Sequence, residues 1–133
     1  MLEKKLINLE GSFYSNSPYS QAVSYGSLLF VSGMISKDME TGKPTSGSIE
    51  EETEQVIKNI QTILNQAGSS LECVLQMTVY LTDPKYFDGM NSVFRKYFPT
   101  EKPTRSTVGV QLMRSGIKVE IDVISYIPEN KSS

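Results

Sequence analysis

Histidine and tryptophan are absent from this 133-residue sequence, and cysteine occurs once, at Cys73. Histidine is the commonest metal ligand and the usual general base near neutral pH. Its absence excludes Ser-His-Asp and Cys-His nucleophiles within the chain, together with every His-ligated zinc site. A carboxylate-built cation site is the only kind left, and no EF-hand spacing occurs, so no metal is expected. A lone cysteine forms no intrachain disulfide, which fits a reducing compartment. Charge of one sign is lacking as well: 13 Lys and Arg stand against 15 Asp and Glu, a net charge of −2. With a pI near 5.2 and no basic run longer than Lys4-Lys5, nucleic acid is not an expected partner. The longest uninterrupted apolar run, Leu28 to Val31, is far too short to cross a membrane. Lys4 and Lys5 precede only Leu6, Ile7 and Leu9, too short for a signal-peptide core. Asn130-Lys131-Ser132 matches a glycosylation sequon, but three residues carry little information without a secretory signal. The expectation is a cytoplasmic protein, or one in an equivalent reducing compartment. What remains for chemistry is carboxylates, Arg, Lys, Tyr, hydroxyls and backbone amides.

The length suits one domain, residues 1–133, burying roughly two-thirds of its unfolded surface. No repeat or composition shift divides it, and 128–133 reads as a frayed terminus. Two helices stand out. Ser48 followed by Glu51 is a capping box, and Glu50, Glu51, Glu52 and Glu54 place negative charge on the positive end of the dipole. Val56, Ile57, Ile60, Ile63, Leu64 and Ala67 follow at helical spacing, and Gly68 supplies the stop. The second helix is predicted to open with Asp83 as N-cap and Pro84 at its first position. Tyr86, Phe87, Met90, Val93, Phe94 and Tyr97 form its apolar stripe, and Pro99 ends it.

Strands fill the rest. Residues 21–24 and 28–33 flank Tyr25-Gly26-Ser27, a plausible hairpin turn. Met77, Val79 and Leu81 alternate with polar neighbours between the helices. Strands 105–112 and 117–127 flank a turn at Met113-Arg114-Ser115-Gly116 and read as a closing hairpin. The order ββ(β)αβαββ predicts an α+β sandwich, a five- to six-stranded, mostly antiparallel sheet with two helices on one face. Two helices cover only one side, whereas residues 28–31 are apolar on both, so another copy of the chain is expected on the second face.

In the closing hairpin, pairing Leu112 with Ile117 sets Gly109 opposite Glu120 and Thr107 opposite Asp122. Arg105, Thr107, Gly109, Glu120 and Asp122 then share the face away from the helices. From spacing alone, one guanidinium beside two carboxylates reads first as a solvated face with cross-strand ion pairs, and a small-molecule site is the alternative.

Ser17-Pro18-Tyr19-Ser20-Gln21-Ala22 resembles the Gly-Pro-Tyr-Ser-Gln-Ala signature of the Rid family, the reactive intermediate deaminases, also called YjgF-type or L-PSP endoribonuclease-like. Further stretches agree in order. Phe30-Val31-Ser32-Gly33 is similar to the family's strand entering its site, and Asn91 matches a family asparagine. Pro103-Thr104-Arg105-Ser106-Thr107-Val108 resembles its Pro-x-Arg-(Ser/Ala)-x-Val motif, and Val119-Glu120-Ile121 its closing strand. Gly68, residues 78–83 and Tyr97-Phe98 also fall in place, so the similarity runs from Pro18 to Ile127.

The resemblance implies a chorismate-mutase-like (YjgF-type) fold assembled as a homotrimer, with sites in clefts between subunits. It implies hydrolysis of enamine and imine acids, such as those released by pyridoxal-phosphate dehydratases acting on serine and threonine, to 2-keto acids and ammonia. An imine carbon is already electrophilic, so no metal, cofactor or covalent nucleophile is needed. Arg105 would clamp the substrate carboxylate in a bidentate fork. Glu120 would orient water and shuttle its proton, and Tyr19 would close the pocket from the adjacent subunit. Thr107, Ser106, Ser32 and Gly33 would complete the substrate's hydrogen bonds, and Asn91 would shape the cleft. Ser17, Met34, Ser36, Thr107 and Gly109 depart from the usual family residues, which bears on substrate preference. A trimer that binds a small keto acid without turnover is the alternative reading, and an endoribonuclease or translation inhibitor a further one.

Overall fold

The computed structural model describes residues 2–9 and 17–129; the sequon and the last residues of the predicted frayed tail lie outside them. Six strands and two helices follow one another as β1 (Lys4–Ile7), β2 (Ala22–Tyr25), β3 (Leu28–Ile35), α1 (Ile49–Gln66), β4 (Val74–Leu81), α2 (Phe87–Tyr97), β5 (Thr104–Gly109) and β6 (Val119–Tyr126). The strands form one mixed sheet in the order β1-β2-β3-β6-β4-β5. Every pairing is antiparallel except that of β4 with β5. This is the expected α+β architecture.

Local chemistry sets both helices. Ser48 Oγ accepts from Glu51 N at 3.1 Å while Glu51 Oε1 accepts from Ser48 N at 2.9 Å, closing the capping box of α1. Val56, Ile57, Ile60, Ile63 and Leu64 are then fully buried. Asp83 Oδ1 accepts from Lys85 N at 2.9 Å, but the residues it caps, Pro84–Tyr86, form a 3-10 turn, and α2 proper begins at Phe87. Met90, Val93 and Phe94 of α2 pack with α1 over Leu29, Met34, Met77, Val79, Ile121 and Val123 of the sheet. Gly26, with φ +61°, opens the two-residue connection between β2 and β3 in a conformation glycine adopts without strain.

The predicted closing hairpin does not form. β5 pairs in parallel with β4, Met77 opposite Arg105 and Val79 opposite Thr107. β6 instead inserts between β3 and β4. Two physical causes act together. The chain between β4 and β5 passes through α2, and a strand–helix–strand unit returns its second strand parallel to the first. Val119, Ile121, Val123 and Ser125 of β6 are buried, whereas β5 has no buried residue, so the apolar strand takes the centre and the polar one the edge. Among the described residues, no helix is long and apolar enough to cross a membrane.

Candidate active site: two half-sites on opposite faces

The changed pairing moves Arg105 through the sheet. Laterally paired residues share a face, so Arg105 and Thr107 lie with Met77 and Val79 on the helix side. Glu120 lies between the fully buried Val119 and Ile121 and projects from the opposite, open face, together with its partners Tyr80 and Ile35. The expected cluster of Arg105, Thr107, Gly109, Glu120 and Asp122 on one face is therefore corrected. One chain carries two candidate clusters, one on each face of the sheet.

The first cluster is built on α2 and the edge strand β5. The Arg105 guanidinium lies 4.8 Å from the Phe94 ring centroid and 5.8 Å from that of Phe87, within cation–π range. Its Nη1 donates to Met90 Sδ at 3.6 Å. Among the described residues no carboxylate comes within 4.0 Å of it. Burial, with Arg95 nearby, lowers its affinity for its proton, yet a guanidinium stays charged at any physiological pH. A cavity of about 320 Å³ opens beside it, lined by Asn91, Phe94, Arg95, Phe98, Lys102 and Pro103. Asn91 thus joins Arg105 as expected, and half-buried Thr107 shares its face. Ser106 does not: its side chain alternates to the open face with Thr78.

The second cluster surrounds an irregularity in β3 between Val31 and Met34. Ser32 Oγ donates to Ser20 O at 2.7 Å and Ser32 N to Gln21 O at 2.9 Å. The segment carrying half-exposed Tyr19 is thereby fastened beside Ser32-Gly33. The Glu120 carboxylate rests against Gly33, where any side chain would collide with it; glycine at 33 makes its seat. Burial, and then Asp122, pushes the Glu120 carboxyl up from its ordinary value, with Lys37 pulling the other way. Asp122 accepts from Tyr80 Oη at 2.8 Å, a cross-strand pair that does not involve Arg105.

Lys37 belongs to this group and escaped the sequence reading. Only 6 % of it is exposed, and burial, then Arg114, lowers its pKa to about 8 while Glu120 opposes the shift. It follows Ile35, the strand partner of Glu120, by two residues, which was the one available signal. A lone lysine beside Asp38 and Glu40 otherwise reads as a solvated loop.

The chain is thus an α+β sandwich with, among the described residues, an arginine lacking a carboxylate partner on one face and a half-buried carboxylate on the other. The family model described as endoribonuclease L-PSP matches residues 10–127, and the chain belongs to this family, that of the Rid proteins. A RutC family protein of Pyrococcus abyssi is 41% identical over 125 residues, covering 94% of this chain and 98% of the relative. The chloroplastic Reactive Intermediate Deaminase A of Arabidopsis thaliana is 37% identical over 126 residues, 95% of this chain and 67% of its own length. The crystal structure of yeast Mmf1 superposes with a TM-score of 0.87 at 35% identity, covering 95% of this chain and all of that one. A Rid-family protein of Yersinia pestis superposes at 0.86, with 34% identity over 94% of this chain and 100% of that one.

Proposed function

We propose that the protein is a 2-iminobutanoate/2-iminopropanoate deaminase, hydrolysing enamine and imine acids to 2-keto acids and ammonia. The observation that carries this is the Arg105 guanidinium, held against Phe94 with no carboxylate within 4.0 Å among the described residues, beside a cavity of about 320 Å³. A planar fork with no carboxylate of the described residues against it suits a planar carboxylate. The name of the Arabidopsis relative supports the same class of reaction.

Water oxygen bonds to C2 of the imine, the adduct collapses to the ketone, and the C2–N bond breaks. The water's two protons leave with nitrogen as ammonia, and nothing is oxidised or reduced. Glu120, its carboxyl raised toward neutrality, takes a proton from water and returns it to nitrogen. In one chain Glu120 and Arg105 stand on opposite faces of the sheet, so the complete site requires a second copy. Its Tyr19, Ser32, Gly33 and Glu120 would approach the exposed edge of β5, in a homotrimer with sites between subunits.

The test couples a threonine or serine dehydratase to keto-acid formation, with and without the protein. Acceleration is expected, and Arg105→Ala or Arg105→Lys should reduce it about a hundredfold, the scale of losing a charged, bidentate hydrogen-bond pair. Absence of acceleration with either amino acid, alongside calorimetric binding of the keto acid, would establish a binding trimer instead. Glu120→Gln should lower turnover more than ligand affinity; equal losses would remove its assignment as proton carrier.

A further inference from the structure

We propose that the cavity beside Arg105 selects imino acids carrying a second carboxylate, an inference that rests on the deaminase reading above. Three elements bring cations to this one cavity: Arg95 from α2, Lys102 from the segment after it, and Arg105 from β5. Among the described residues, none has a carboxylate within 4.0 Å. Burial and then the neighbouring Arg95 both act against the charge on Arg105. Lys102 is delivered by a backbone turned at Glu101 into the left-handed region, φ 47°, which non-glycine residues seldom occupy.

The ligand's first carboxylate engages Arg105 and neutralises one charge of the three. A monocarboxylate leaves the excess at Arg95 and Lys102 in place. A dicarboxylate relieves it, its second carboxylate lying toward those two side chains and its methylene stem against Phe94, Phe98 and Pro103. Arg95 and Lys102 are exposed, so each contributes a modest, salt-sensitive increment rather than an anchor. Asn91, four residues before Arg95 on the same helix face, adds a neutral amide to the lining of this cavity.

The experiment is calorimetric titration at low salt with 2-oxobutanoate and 2-oxoglutarate, the keto acids of a mono- and a dicarboxylic imine. The wild-type protein should bind the dicarboxylate about threefold or more tightly, an advantage that shrinks as sodium chloride is raised, as expected for exposed ion pairs. In the double variant R95Q/K102Q the affinity ratio should fall to about one, and Arg105→Ala should weaken both ligands; thermal melts confirm folding of these surface changes. Equal wild-type affinities, or a dicarboxylate advantage that survives in R95Q/K102Q, would overturn the inference and leave the deaminase reading standing. Binding of neither keto acid would overturn both.

Discussion

Glu120 and Lys37 carry the ionisation behaviour of the open face. A carboxyl whose folded pKa is raised binds its proton more tightly folded than unfolded. Stability is therefore lost as pH climbs from the ordinary carboxylate range through the raised value. Glu120→Gln removes that penalty. The variant should melt at a higher temperature than the wild type at pH 7, while losing turnover. A Glu120 without catalytic duty would raise stability and spare activity. Lys37 works in the opposite sense. Its folded pKa of about 8 lies below the ordinary lysine value of 10.5. The unfolded chain therefore holds the extra proton between those values, and stability rises with pH across that window. Urea midpoints measured from pH 7 to 10.5 should climb in the wild type and flatten in Lys37→Met, with Glu120, Arg114 and Asp122 left in place.

Among the elements, those fixed by neighbouring residues were legible in the sequence. The Ser48–Glu51 box and the Ile60, Ile63, Leu64 spacing define α1 without reference to the rest of the chain. Ser48→Ala should cost about 1 kcal/mol, the usual worth of an N-cap, read as a lower denaturant midpoint with unchanged slope. Strand pairing was not local. β5 and β6 alternate well enough to form a hairpin, but α2 between β4 and β5 dictates a parallel return, and the apolar β6 competes better for the central place. That single change of partner carried Arg105 to the helix face of the sheet, beside the cavity between α2 and β5. Lys37 was illegible because its burial arises from the packing of residues 36–45 on α1, where Asn59 Nδ2 donates to Lys37 O at 3.0 Å. No pattern in the linear sequence encodes that contact.

At the scale of the whole molecule, the proposed assembly turns on the open face of the sheet. By register, Leu6, Tyr25, Leu28, Phe30 and Tyr126 all stand on it, each more than a third exposed. Contiguous apolar surface of this kind mostly marks an interface. The sheet also ends on β5, whose Val108 is exposed on the same open face, across from Tyr80. In the proposed assembly, joining the β5 edge of one copy to the Glu120 face of another would cover apolar surface and complete the proposed Arg105–Glu120 pair at the same time. Subunit complementation separates this arrangement from one confined to a single chain. Arg105→Ala and Glu120→Gln, each inactive alone, are denatured together in equal amounts and refolded. In randomly mixed rings, a site with its Arg105 from one variant and its Glu120 from the other is intact, so about a quarter of the wild-type activity per site should return. Sites built within one chain contain a defect in every copy and would recover nothing, and that result would remove the shared-site arrangement while leaving the roles of both residues untouched.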